Sequence, residues 1–386
     1  MNRPATPFSA EELNRYSRHF VLPEIGLEGQ QKIRLARVLV VGAGGLGCPV
    51  LLYLTAAGVG TIGVVDDDRV EVSNLQRQVL YSEDDLGQPK VEVVAQKLSR
   101  MNTHINIVPH FQRLTAENAL SLFSDYDIIV DATDNFPTRY LINDACVFSH
   151  KPDVYGAIYR FEGQVSVFNL KAANGRFGPN YRDLFPEPPP PELVPSCAEG
   201  GVLGVMPGII GALQATEVLK IITGTGQPLS GKLLLLDAKT MQFQTIRFHP
   251  DPGNPLTGIQ PTIKTLIDSD WFCQQAVRSD PLPEISVEEF EQWRVSGKTF
   301  QLIDVRQPFE KAIVSLGGEL IPDSDIFQRV TQIRKDVPVV LYCRSGVRSA
   351  RVVKQLQEQW GFRNVFNLRG GILAYIQRFR PDWPVY

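Results

Sequence analysis

One cysteine closes the apolar run VPVVLY: Cys343, followed by small and basic residues in CRSGVRSA. The loop from Arg344 to Arg348 leads into the helical pattern SARVVKQLQEQW, so loop amides and a helix N-terminus are expected around the sulfur. Such surroundings favour an anionic sulfur, either a thiolate or a persulfide. Arg344 and Arg348 should add positive charge beside it. The stretch 284–386 contains no histidine, which excludes a Cys–His acid/base pair within it. A cysteine phosphatase loop spaces its residues C-x5-R, whereas Cys343 and Arg348 are C-x4-R. The shorter loop favours sulfur over phosphate.

A second set stands near the other end. In VLVVGAGGLGCPV, Gly42, Gly44 and Gly47 form G-x-G-x-x-G between an apolar strand and a helix. That pattern points backbone amides and a helix N-terminus at phosphate. Asp66, at the end of the next strand, would accept ribose hydroxyls, and to this point NAD and ATP fit equally. Beyond it, Asn74, Arg77 and Gln78 cluster, and Lys90 opens a helix. A reaction that expels pyrophosphate needs fixed cations on the leaving group, a task that suits Arg77 and Lys90. DATDN then ends a strand with Asp131, Asp134 and Asn135. By spacing alone, Asp134 is equally a Mg2+ ligand and a helix cap.

The elements that must position these residues alternate β-branched runs with helical patterns, which predicts an α/β, Rossmann-like doubly wound sheet. QVSVFNL and GKLLLLDAKTMQFQTIRF add an antiparallel extension, with a helix expected between them from about 207 to 222. The Pro-, Gly- and Asp-rich stretch 250–283 reads as a boundary, giving domains of 1–270 and 284–386, the second a small α/β domain. Ser286 and Glu289 have capping-box spacing at its start.

The 386 residues are 43% hydrophobic and 21% charged, with a formal net charge of -3 and the two signs interspersed. This argues against nucleic acid as a partner. The N-terminus has no signal-like apolar segment, and no run of about 18 apolar residues occurs anywhere, so no membrane is expected and a cytoplasmic location is. The five cysteines are scattered and never paired as C-x-x-C, which suits reduced thiols. Cys48 and Cys146 read as core, and Cys273 has no assigned role.

In order, RYSRHFVLPEIGLEGQQKI, GAGGLG, DDDRVEVSNLQRQ, GQPKVEV and DATDN resemble the MoeB/ThiF family of sulfur-carrier adenylyltransferases, over residues 12 to about 250. The resemblance implies that ATP adenylylates the C-terminal glycine of a ubiquitin-like sulfur carrier of MoaD/ThiS type in a homodimer. It further implies that Gly42, Gly44, Gly45 and Gly47 cradle phosphate, Asp66 holds ribose, and Asn74, Arg77, Gln78 and Lys90 surround the phosphates. By the same resemblance Asp134 holds Mg2+, and Arg18 reaches the neighbouring subunit's site. LIDVRQPFE, LYCRSGVRSA and NVFNLRGGILAY resemble a rhodanese domain, implying sulfur transfer through a Cys343 persulfide loaded by thiosulfate or a cysteine desulfurase. The fusion then makes a carrier thiocarboxylate, for molybdenum cofactor, thiamine, cysteine or tRNA thiolation chemistry. Rival readings are an NAD-dependent oxidoreductase with an appended module and a non-catalytic carrier-binding scaffold.

Three departures matter. Where the family carries two C-x-x-C pairs for structural zinc, this chain has Asn180, Asp183, Asn254 and Thr257, so no structural zinc is expected and packing should replace it. Cys197, after the stiff proline run, is either an exposed acyl or persulfide acceptor or a small packed residue. EKAIVSLGGELIP stands where rhodaneses carry a GHIPGA-like segment, so the donor-docking surface should differ. Asp304 and Arg306 are expected to support the loop rather than act in chemistry.

Overall fold

The computed structural model describes residues 7–188, 201–267 and 282–386. The chain divides into two compact units, Met1–Cys273 and Gln274–Tyr386.

The first unit is built on an eight-stranded sheet in the order β3-β2-β1-β4-β5-β6-β7-β8. Its strands are β1 (Arg37–Val41), β2 (Thr61–Val65), β3 (Asn106–His110), β4 (Ile128–Asp131), β5 (Asp153–Tyr159), β6 (Glu162–Phe168), β7 (Lys232–Asp237) and β8 (Gln242–Arg247). Strands β1 to β5 run parallel, and the sheet becomes antiparallel from β5 onward. RVLVV and TIGVV are buried on both faces, as continuous apolar runs in a parallel sheet must be. Strand order reverses on either side of β1, and both the glycine turn after β1 and the loop after β4 open at that switch point.

Four helices matter to the site: α1 (Gly47–Ala57), α2 (Lys90–Met101), α3 (Phe136–Ser149) and α4 (Val205–Thr223). By length and composition α4 is apolar enough to cross a membrane, against the sequence expectation that no segment is. Here it is a core helix. Met206, Ile210, Ala215 and Val218 join the main hydrophobic cluster, and buried Gln214 donates to the carbonyls of Asp131 at 2.7 Å and Val154 at 3.0 Å.

The stretch after 250 is not simply a connector. Asn254 and Leu256 are buried within the first unit, and Leu266 packs against the cluster under α3.

The second unit is a five-stranded parallel sheet, β11-β10-β12-β13-β9. Its strands are β9 (Glu284–Ile285), β10 (Gln301–Asp304), β11 (Glu319–Leu320), β12 (Val339–Tyr342) and β13 (Val365–Leu368), with helices α5 (Val287–Val295), α6 (Pro308–Ile313), α7 (Val347–Trp360) and α8 (Gly371–Phe379). Separate apolar clusters cover the two faces. Ser286 caps α5 by accepting from the Glu289 amide at 3.1 Å.

Candidate functional site

The glycine turn is shaped by close backbone approach. Gly42 has φ +100°, and a Cβ there would meet the Ala132 carbonyl at 2.6 Å, while one at Gly47 would meet the Gly42 carbonyl at 2.0 Å. Only hydrogen fits at either place. Over Gly44 a Cβ would meet only the Gln78 amide, 3.7 Å away, so space is open where a phosphate is expected. Gln78 is buried and its Oε1 has no partner, a polar atom waiting on this turn. Arg77 passes the same turn, its Cγ 3.6 Å from a Cβ placed on Gly45, and donates to the Ser73 carbonyl at 2.9 Å.

Asp66 ends β2 and accepts from the amides of Ala43 at 2.8 Å and Asp68 at 2.8 Å. A carboxylate offers about four acceptor sites, so two remain for hydroxyls. Burial raises its pKa, opposed by the nearby charge of Lys90 and by these amides. Lys90, 4% exposed, pairs with Asp68 at 2.8 Å. The structure thus gathers Gly42, Gly44, Gly45, Asp66, Arg77, Gln78 and Lys90 around one turn. Asn74 is placed differently: it is buried, and its Oδ1 accepts from the Glu71 amide at 3.2 Å within its own turn.

Asp134 is exposed just beyond β4, and Asn135 caps α3 by accepting from the Thr138 amide at 2.9 Å. Capping is therefore done by the neighbour, and the Asp134 carboxylate offers hard oxygen donors to a cation. Arg18, on the helical turn Ser17–Phe20, is exposed and has no hydrogen bond or ion pair with the described residues. Cys197, Cys273 and the proline run from residue 189 on lie outside the described residues. Cys48 and Cys146 are buried, and burial pushes the Cys48 thiol up to about 12 and that of Cys146 well above its ordinary value.

Asn180, Asp183, Asn254 and Thr257 do meet in space, joined by hydrogen bonds rather than by the packing expected. Asn180 donates to Thr257 Oγ1 at 2.9 Å, and Asn254 donates to Asp183 Oδ1 at 2.6 Å. Asn254 Oδ1 accepts from the amides of Leu256 at 2.8 Å and Thr257 at 3.1 Å. These polar groups satisfy one another and clasp 180–183 to 254–257.

In the second unit Cys343 follows β12 and is 0% exposed. Its Sγ accepts from the Gly346 amide at 3.1 Å and lies 3.4 Å from Ser349 Oγ. Gly346 has φ +91°, and a Cβ there would stand 2.9 Å from the Gly370 amide nitrogen, so the loop closes only around glycine. The two arginines are not free to face the sulfur. Arg348 donates to both oxygens of Glu310, at 2.8 and 2.6 Å, and Arg344 donates to the main-chain oxygen of Tyr386. A guanidinium in a half-buried place takes the nearest carboxylate, so the positive charge expected beside the sulfur is largely neutralised. Asp304 and fully buried Arg306 form a two-point pair at 2.8 and 2.7 Å, and Arg306 also donates to the Val314 carbonyl at 2.9 Å.

Sequence reasoning missed Tyr81, whose hydroxyl donates to the Ala43 carbonyl at 2.7 Å, and Asp68, Glu310, Ser349, Asn367 and Tyr386. Asp68 and Ser349 stood inside motifs already singled out. Glu310 and Asn367 also stood inside such stretches, LIDVRQPFE and NVFNLRGGILAY, whereas Tyr386 gave no local signal.

Residues 16–256 match the ThiF family and residues 286–378 the rhodanese-like domain. The chain belongs to the ThiF family. This ThiF chain is 46% identical over 390 residues to the probable adenylyltransferase/sulfurtransferase MoeZ of Mycobacterium tuberculosis, covering 99% of this chain and 97% of that protein. It is 53% identical over 266 residues to the sulfur carrier protein adenylyltransferase of Thermus thermophilus, covering 69% of this chain and 98% of the relative. Among solved structures, E. coli MccB aligns with a TM-score of 0.55 at 25% identity, over 67% of this chain and 75% of that one.

Proposed function

We propose that the chain adenylylates the C-terminal glycine of a ubiquitin-like sulfur carrier with ATP and then delivers sulfur from Cys343 to give the carrier thiocarboxylate. The observation that carries this reading is Lys90, a buried cation beside the glycine turn and Asp66, where a dinucleotide would need no such charge. Full-length similarity to a protein named for both activities supports it.

The carboxylate oxygen of the carrier attacks the α-phosphorus, and the bond to the leaving pyrophosphate breaks. Arg77 and Lys90 take up the charge that develops there. Asp134 would hold Mg2+ against the phosphates, where the ion would neutralise part of that charge. The outer sulfur of the Cys343 persulfide then attacks the acyl carbonyl and AMP leaves. A thiol reductant then attacks the Cys343 sulfur, forming a mixed disulfide with it and freeing the thiocarboxylate, while Cys197 is the candidate to accept an acyl or acyl-persulfide link from the carrier.

The reading includes a cytoplasmic homodimer, loaded by thiosulfate or a persulfide donor. Exposed Arg18, whose side chain has no partner among the described residues, supports the dimer. So does its neighbour His19, which with Tyr53, Ala212 and Leu219 lines a surface cleft of about 260 Å³. Pyrophosphate release on adding carrier and ATP tests the adenylylation step on which the reading depends, and its absence with a competent carrier overturns it.

A further inference from the structure

The thiol of Cys343 stands at one end of a chain of side chains that loop amides do not account for. Ser349 Oγ lies 3.4 Å from Cys343 Sγ, 3.2 Å from the Gly346 carbonyl and 2.7 Å from Asn367 Oδ1. Asn367 Nδ2 donates in turn to Glu284 Oε1 at 2.9 Å, and Arg369 donates to the other Glu284 oxygen at 2.9 Å. Cys343, Ser349 and Asn367 are all buried. Parallel pairing of β13 with β9 sets Asn367 directly beside Glu284.

The polarity of this chain follows from its ends. A carboxylate only accepts, so it fixes the Asn367 amide with nitrogen toward Glu284 and oxygen toward Ser349. The serine has one proton and three acceptors within reach, and the shortest contact is to Asn367. In the resting thiol, the serine proton therefore sits on the Asn367 side, and a serine lone pair faces the S–H. When the sulfur becomes anionic, a hydrogen bond to it is charge-assisted and stronger than one to a neutral amide or carbonyl.

We propose that Ser349 is a catalytic residue of the sulfur step: its hydroxyl turns from Asn367 Oδ1 to Cys343 Sγ when that sulfur carries charge, and the Asn367–Glu284 pair sets the resting direction. No proton leaves the serine in this rotation, and no bond other than a hydrogen bond changes. The inference rests on the reading of Cys343 as the sulfur-carrying thiol, but its test does not require sulfur transfer.

The measurement is the rate at which iodoacetamide alkylates Cys343 in the full chain at pH 7, read from the mass of the peptide that contains it. Asn367→Ala removes the competing acceptor and should speed alkylation by about tenfold, the scale of one hydrogen bond to a charged group. Ser349→Ala alone should slow alkylation, because the hydroxyl that turns to the charged sulfur has gone, and an unchanged rate overturns the proposal. The double variant should lose the acceleration of Asn367→Ala, because the proton that stabilises the sulfur has gone. If Asn367→Ala lowers the melting temperature enough to disturb folding, Glu284→Gln enters the same cycle, since it lets the Asn367 amide turn its nitrogen toward the serine. An unchanged rate in a folded Asn367→Ala or Glu284→Gln chain overturns the proposal. So does a double variant as fast as the single, which would mean the loop had merely loosened. If instead Cys343→Ala still moves sulfur, the reading of Cys343 fails while the alkylation cycle stands by itself.

Discussion

Lys90 Nζ stands 2.8 Å from Asp68 Oδ2, a buried ammonium answered by a largely exposed carboxylate. The pair keeps the cation from being buried alone, which would be costly, and holds it beside the charge of Asp66. An exposed carboxylate is easily displaced, so a phosphate that enters can take its place.

Lys90→Ala and Arg77→Ala should each lower carrier-dependent exchange of pyrophosphate into ATP by about 100-fold or more, the effect of removing one preorganised charge from a leaving group. Circular dichroism should show the fold kept. Asp68→Asn should retain most activity, because that carboxylate only occupies the lysine. Near-normal exchange by either cation variant would remove the phosphate assignment.

Cys343→Ala should still form the carrier adenylate, since adenylylation uses no thiol, and should lose sulfur transfer from thiosulfate or a persulfide. Cys197→Ala should also adenylylate and should slow thiocarboxylate formation. Carrier mass separates adenylate from the exchange of oxygen for sulfur. Wild-type thiocarboxylate rates in Cys343→Ala would show that the second unit is not the relay.

The Asn180–Asp183–Asn254–Thr257 clasp should make the first unit's stability indifferent to chelators, and metal analysis should find no stoichiometric zinc. Asn254→Ala should cost about 1–3 kcal/mol in denaturant unfolding, because the buried Leu256 amide and the Thr257 amide lose their acceptor and Asp183 Oδ1 keeps only the Asp251 amide. A melting temperature lowered by EDTA would overturn the assignment.

Glu310 carries the pH prediction. Burial works to raise its pKa, but the hydrogen bonds and charge of Arg348, with the Gln307 amide, prevail and hold it below the ordinary glutamate value. A group whose folded pKa is depressed contributes stability above its unfolded value and loses it as pH falls through the folded one. Glu310→Gln should therefore cost about 3 kcal/mol at pH 7, as an unpaired half-buried arginine is left behind. The difference from wild type should shrink below about pH 4, where the native carboxyl also becomes neutral. Equal losses at pH 7 and pH 3 would show that the charge pair is not the cause.

The sequence by itself determined the doubly wound first unit, the antiparallel extension, the small α/β second unit and the two loops that carry Gly42 to Gly47 and Cys343. Those features rest on period, turn chemistry and short motifs, which act between near neighbours in the chain. Local pattern also misled. The apolar stretch Val205–Thr223 did not stand out as a candidate span and proved long and apolar enough to be one, yet Gln214, buried and paired with carbonyls of β4 and β5, makes it a core helix. Residues after 250 read as a linker, but Asn254 is held by Asp183 from 71 positions away. Only tertiary structure decided which partner each charged side chain would take. Arg348 reads as a cation for sulfur until α6 brings Glu310 against it, and Ser349 reads as a helix residue until β13 and β9 align Asn367 with Glu284. Hydrogen bonds and ion pairs are short-ranged and made across elements, so nothing in local spacing specifies them; the packing of sheet against helix does.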